Sequence, residues 1–215
     1  MLKKKILLVD DHPLIRKGIA LTLSEEPSFE ICNQFSSGEE ALEKISTIEA
    51  EVAIVDVSLP GMNGIEFIKH LKIAKPEIKV LVVSRHDEEL YAERAIRSGA
   101  NGYIMKQEAG EVLISGVKKI LAGGIFVSQA INERMLQSLL NNKKPAEHSP
   151  FELLSDRELE VFEHVGRGLA TKDIADRMHV SVKTIETYRA RIKDKLGLEN
   201  SLELTRIAIQ WIQEL

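Results

Sequence analysis

At 215 residues the chain suits one large domain or two small ones, and plentiful Leu, Ile and Val let each half fill a core although aromatics are few. No apolar run reaches the roughly eighteen residues of a membrane span, the basic start is interrupted at Asp10-Asp11 in a way a signal peptide is not, and the lone Cys32 excludes an intramolecular disulfide or a multi-cysteine metal site. These features point to the cytoplasm, and the net charge of −4 argues against a nucleic-acid partner for the chain as a whole.

The first half alternates short apolar runs with longer amphipathic ones. Ile6-Leu7-Leu8-Val9 reads as a buried strand and residues 13–24 as a helix. Strand 29–35, helix 38–47, strand 52–56, helix 64–74, strand 78–83, helix 88–98, strand 102–105 and helix 110–122 follow. Short, continuous, β-branched strands are expected where helices cover both faces of a parallel sheet. Five such units predict a doubly wound, flavodoxin-like α/β domain over residues 1–127. A helical stretch, 128–140, and a polar run with two prolines, 141–150, form a connecting segment over 128–150. From 151 to 215 the period is helical throughout, with helices near 156–166, 172–178, 182–196 and 202–214, and Ser155 and Glu158 spaced as a capping box.

Chemistry gathers at the strand ends. Asp10 and Asp11 follow the first strand, Asp56 closes the third, Ser84 ends the fourth and Lys106 follows the fifth. In an open α/β sheet the crevice beyond the carboxyl ends of the strands is the ligand site. Crowded carboxylates need a cation, and an oxygen-only set suits Mg²⁺, or Mn²⁺. A carboxylate can attack phosphorus to give an acyl phosphate, while a metal, a lysine and a hydroxyl offset charge on the phosphoryl oxygens. Singly, each residue has a plainer reading: Asp10-Asp11 as a cap for the helix opening at Pro13, Asp56 as a turn residue before Pro60-Gly61. Five together at consecutive strand ends make coincidence a poor account. His12, His70, His148, His164 and His179 show no ligand spacing and read as surface or packing residues. Cys32 fits a strand position and carries no redox role.

The runs Ile6-Leu7-Leu8-Val9-Asp10-Asp11-His12, Asp56-Val57-Ser58-Leu59-Pro60-Gly61-Met62-Asn63-Gly64, Val82-Val83-Ser84 and Gly102-Tyr103-Ile104-Met105-Lys106 resemble the receiver domain of two-component response regulators. The resemblance implies that Asp56 accepts a phosphoryl group from a sensor histidine kinase. It implies that Asp11 and Asp56 bind the metal directly, Asp10 through water and Ser58 through its backbone carbonyl. Ser84 and Lys106 would contact the phosphoryl group, and Ser84 and Tyr103 would form a switch pair. Ser58 and His86, two positions beyond Asp56 and Ser84, would border the hydrolytic water and set the lifetime of the phosphorylated state; as plain loop residues they would do neither. Leu59 stands where methionine is usual, a volume-conserving change. Gln107 stands where many members have proline, so a cis bond there would cost about 3 kcal/mol rather than under one.

In the last third, residues 181–197 carry five basic groups against two acidic ones, a local footprint inside an acidic chain. Met178-His179-Val180-Ser181 has the length of a helix-turn-helix connection, and Ser181 can cap the helix that follows. Val182, Ile185, Ile192 and Leu196 share an apolar face there. Lys183, Glu186, Thr187, Ala190, Arg191 and Lys193 lie away from it, as major-groove docking requires, although a solvated face on a plain bundle would read alike. Leu154 to Val161, Gly168 to Ala175, Ser181 to Tyr188 and Lys195-Leu196-Gly197 resemble the LuxR-type DNA-binding domain, and the whole chain resembles the NarL/FixJ class of transcription factors. The resemblance implies double-stranded promoter DNA as partner. Glu186, Thr187, Ala190 and Arg191 would face base edges. Lys172, Lys183, Thr184, Tyr188, Arg189, Lys193 and Lys195 would meet phosphates or support the helix. The last helix carries Leu204, Ile207, Ala208, Trp211 and Leu215 along one stripe; part packs within its domain, and the excess suggests a dimer surface through Leu204, Ala208 and Trp211. A phosphorylated homodimer would read half-sites about 10 bp apart. A phosphatase using Asp56 as nucleophile leaves the last third unexplained, and a non-phosphorylated pseudo-receiver leaves the intact acidic and lysine set unexplained.

Overall fold

The structure, a computed structural model, describes residues 3–140 and 150–213. Residues 141–149 of the expected linker and Leu215 of the expected stripe lie outside them. The chain divides into two compact units, 1–142 and 143–215.

The first unit has β1 (Lys4–Val9), α1 (Pro13–Ser24), β2 (Phe29–Phe35), α2 (Gly38–Lys44), β3 (Val52–Val55), α3 (Gly64–Ala74), β4 (Lys79–Ser84), α4 (Glu88–Arg97), β5 (Gly102–Met105), α5 (Ala109–Leu121) and α6 (Gln129–Leu140). All five strands are parallel, in the order β2-β1-β3-β4-β5. Ile6 to Val9 and Val52 to Val55 are buried throughout, as a sheet covered on both faces demands. Helix α2 gives way to a 3-10 turn at Ile45–Thr47, so the expected single helix over 38–47 is a shorter helix and a tighter last turn.

Strand register builds the rim. Val9 pairs with Val55, and the Asp56 N–H donates to the Val9 carbonyl (2.9 Å), which sets Asp56 beside the acids that follow β1. Ser84 pairs with Met105, and the Lys106 N–H donates to the Ser84 carbonyl (2.7 Å). Sheet winding reverses between β1 and β3, the switch point at which such folds bind ligands. No peptide bond among the described residues is cis.

The free edge of β5 is met by the segment after α5: Gly102 bridges Phe126, and the Tyr103 N–H donates to the Phe126 carbonyl (2.8 Å). Helix α6 then packs on α4, burying Ile131 and donating from Arg134 Nη1 to the Glu89 carbonyl (3.2 Å).

The second unit opens with a 3-10 turn at Pro150–Leu153, then α7 (Asp156–Gly166), α8 (Thr171–Arg177), α9 (Val182–Leu196) and α10 (Ser201–Gln213). The capping box forms in full at Ser155 and Glu158. Helix α8 ends through His179, whose φ of 54° is the left-handed conformation that closes many helices. The rings of Phe151, Phe162 and Trp211 meet with centroids 4.8–5.1 Å apart. A Cβ on Gly166 would lie 2.4 Å from the Ala208 carbonyl oxygen, so α7 and α10 approach closely.

That approach corrects the expected dimer surface. Leu204, Ala208 and Trp211 are buried in their own unit, because α10 uses this stripe to cover α7. The apolar side chains α10 leaves exposed are Leu202 and Ile209. On α9, Val182 is 43% exposed and does not extend the apolar face, which Ile185 and Ile192 carry.

Candidate functional site

Asp10, Asp11, Asp56 and Lys106 converge as the strand ends imply. Lys106 Nζ lies 2.6 Å from Asp56 Oδ2 and 2.8 Å from Asp10 Oδ2, a single ammonium serving two carboxylates that are each at most 3% exposed. Asp11 sits at the more open side. Three carboxylates against one lysine leave an excess of negative charge. Burial pushes the Asp56 carboxyl above its ordinary range; Lys106 opposes the shift and Asp10 adds to it.

Asp56 Oδ1 is buried with no hydrogen-bond partner among the described residues. An unsatisfied buried acceptor is costly unless a ligand completes it. Asp10, Asp11, Asp56 and also His12 each offer a donor atom, all within 4.8 Å of one another. The residues present therefore fit a divalent cation. His12 is the residue the sequence reading set aside: it has no spaced ligand partner, yet it follows the acidic pair at the strand end.

The loop after Asp56 is held tightly. The Gly64 N–H donates to the Val57 carbonyl (2.8 Å), and a Cβ at Gly64 would lie 1.9 Å from the Asp56 carbonyl oxygen, so no side chain fits there. Asn63 caps α3 by accepting from the Glu66 N–H (2.8 Å), and Glu39 of α2 accepts from the Met62 N–H (2.6 Å). Rigid backing of this kind fixes where Asp56 points.

The remaining rim residues meet at His86. Ser58 Oγ and His86 Nε2 are 2.8 Å apart, so the pair expected to border a water touch directly. Ser84 Oγ accepts from the His86 N–H (3.2 Å), and the Tyr103 hydroxyl donates to the His86 carbonyl (2.8 Å). Tyr103 is already fully enclosed, and the His86 ring lies against Tyr91 of α4 with centroids 4.4 Å apart. Nothing in the spacing of Ser84 and Tyr103 signals this shared residue, because its carbonyl and N–H, rather than its side chain, receive them.

In the second unit Ser181 caps α9 by accepting from the Thr184 N–H (3.1 Å). Lys183, Glu186, Thr187, Ala190 and Arg191 are exposed on one side of α9, as is Lys172 on α8; Thr184, Tyr188, Arg189 and Lys193 are half-buried along its flanks. The Thr187 hydroxyl donates to the Lys183 carbonyl (3.0 Å). Lys195 takes another part: its Nζ lies 2.6 Å from Glu158 Oε2 and donates to the Leu153 carbonyl (3.1 Å), tying α9 to the start of α7. No described helix is long and apolar enough to cross a membrane.

Comparison with known proteins follows the same division. Residues 6–118 match the family described as response regulator receiver domain, and 152–208 match the bacterial regulatory proteins of the luxR family. Oxygen regulatory protein NreC of Staphylococcus carnosus is 32% identical over 210 residues, covering 96% of this chain and 97% of that one. Response regulator GacA of Pseudomonas aeruginosa is 32% identical over 207 residues, covering 96% and 95%. Among solved structures, the RcsB response regulator of Salmonella typhimurium shares the fold, with a TM-score of 0.67 at 23% identity over 98% of each chain.

Proposed function

The chain belongs to the response regulators that join a receiver domain to a LuxR-type DNA-binding domain, the NarL/FixJ class, and is thus a DNA-binding transcriptional regulator under phosphorylation control; we propose that Asp56 is the residue phosphorylated. The donor is a phosphohistidine of a sensor histidine kinase. An Asp56 oxygen attacks phosphorus, the P–N bond breaks, and its electron pair stays on the kinase imidazole. Lys106 holds the second Asp56 oxygen and then neutralises a phosphoryl oxygen. Asp11, Asp56 and the Ser58 carbonyl, with Asp10 through water, would hold Mg²⁺ or Mn²⁺, which when bound offsets charge on the carboxylates and the phosphoryl oxygens.

Ser84 turns its hydroxyl from the His86 N–H to a phosphoryl oxygen and frees the loop that Tyr103 grips through the His86 carbonyl. Ser58 and His86, hydrogen-bonded to each other, guard the approach of the hydrolytic water. In the second domain Glu186, Thr187, Ala190 and Arg191 read base edges. Lys172, Lys183, Thr184, Tyr188, Arg189 and Lys193 engage phosphates, and Lys195 keeps α9 seated. Two copies bind promoter DNA together in the cytoplasm, through apolar surface other than the buried stripe of α10.

The observation that carries this reading is the buried, unpartnered Asp56 Oδ1 beside an oxygen already held by Lys106. Labelling with ³²P from acetyl phosphate tests it. Wild type is expected to take up acid-stable, base-labile label and Asp56→Asn none; equal labelling of the variant would overturn the assignment.

A further inference from the structure

We propose that Glu186 makes this chain select a C·G pair at one position of its DNA site, through the cytosine N4 amino group; this rests on the reading of α9 as the helix that enters the major groove. Glu186 follows Val182, the first residue of α9, by one turn, and it is the N-terminal part of a recognition helix that meets base edges. Buried Ile185 and Ile192 fix the packed side of the helix, while Lys183, Glu186, Thr187 and Ala190 stand exposed. Among the described residues the Glu186 carboxylate has no ion pair or hydrogen bond. Glu158, Glu160 and Glu163 of α7, by contrast, are each held by a lysine or an arginine.

A carboxylate so placed opposes binding unless the duplex supplies it a donor. DNA carries one negative charge per ~1.7 Å of its axis, and an ionised carboxylate can only accept. The major-groove edges differ in what they offer. Guanine shows two acceptors, adenine an acceptor beside its amino donor, thymine an acceptor and a methyl, and cytosine its amino group alone. Cytosine is therefore the base whose edge gives Glu186 a donor without an opposing lone pair. Thr187 adds to the pattern. Its hydroxyl donates to the Lys183 carbonyl (3.0 Å), so the proton is committed to the helix and the side chain presents an acceptor and a methyl. Ala190, one turn beyond Glu186, brings a methyl and no donor. The cationic side chains of Lys183 and Arg191 suit phosphates or guanine, not a cytosine amino group.

Selection from a random duplex library by the full chain, with beryllofluoride and Mg²⁺, tests this beside Glu186→Ala and Glu186→Gln. The wild-type site is expected to hold a C·G column, favoured about fivefold or more, that Glu186→Ala flattens to within about twofold while the other columns stay. Glu186→Gln is expected to move that column toward A·T, since an amide pairs with adenine N6 and N7. Replacing the cytosine by pyrimidin-2-one, which lacks the amino group, should weaken wild type about fivefold and leave Glu186→Ala within about twofold. Identical columns in wild type and Glu186→Ala, a flattened column that is A·T, or equal sensitivity of both proteins to the missing amino group overturns the role of Glu186. If Lys183→Ala and Arg191→Ala also leave affinity and site unchanged, α9 is not the reading helix, and that reading falls instead.

Discussion

Lys106 reaches two carboxylates in a pocket that holds three, and Asp56 Oδ1 stays buried without a hydrogen-bond partner among the described residues. Such a residue is kept at a cost to stability. A carboxyl whose folded value is raised makes folding most favourable below its unfolded value, and that advantage is lost as pH rises through the folded value. Near neutral pH, Asp56→Asn is therefore expected to stabilise the receiver by about 1 kcal/mol, within the range usual for relieving a functional site. A thermal melt without divalent ions checks this, and an unchanged or lower midpoint would contradict it. For Ser58 and His86, the 2.8 Å contact predicts that Ser58→Ala and His86→Ala alter the dephosphorylation rate in the same direction, each losing the same pair. Unchanged lifetimes of the labelled protein would count against them. The acids, the serine and the lysine were legible in the sequence because each ends a strand of a parallel sheet. The place of His12 beside the acidic pair was not, because it depends on the hydrogen bond made by its own N–H, and the contacts of His86 run through backbone groups that carry no residue signature.

At the level of elements, register turns separate sequence positions into one rim: the pairing of Val9 with Val55 sets Asp56 beside Asp10 as soon as β1 and β3 are neighbours. The DNA-binding unit relies on its own fixed joints. Burial raises the Glu158 carboxyl, but hydrogen bonds from Lys195 and Ser155 outweigh it and hold the carboxyl below its ordinary value. Its contribution to stability is present above the ordinary glutamate range and fades as pH falls through the lowered folded value. Glu158→Gln should flatten the acid limb of unfolding measured by circular dichroism; an identical limb would contradict this. Gly166→Ala forces a methyl toward the Ala208 carbonyl and should destabilise this unit by about 1–3 kcal/mol, as overpacking does, in a denaturant titration. On α9, Lys183→Ala is expected to weaken all DNA sequences alike, while Arg191→Ala relaxes preference at one base position in a binding-site selection. Apolar periodicity found the four α-helices described here but not the 3-10 turn at Pro150–Leu153. It misassigned α10 because the same stripe that suits a dimer also suits cover for α7, and only the close approach at Gly166 separates the two.

For the molecule as a whole, two units carry two chemistries, and function lies in their coupling. The chain needs no large bias for partial activation: tenfold tighter DNA binding corresponds to about 1.4 kcal/mol, well under the roughly 5.5 kcal/mol that fully inverts a two-state equilibrium. The domain order, the acidic rim and the basic helix could be read from sequence because each rests on local pattern. The contacts of Ser84 and Tyr103 on the His86 backbone are three-dimensional, and no linear pattern encodes them. The most direct measurement is the affinity of the full chain for selected promoter fragments with and without beryllofluoride and Mg²⁺, beside Asp56→Ala under the same conditions. Beryllofluoride should tighten binding by wild type about tenfold or more, a shift of about 1.4 kcal/mol, and leave Asp56→Ala unmoved. Equal affinities in wild type with and without the activator, or an equal gain in the variant, would contradict phosphorylation of Asp56 as the event that governs DNA binding.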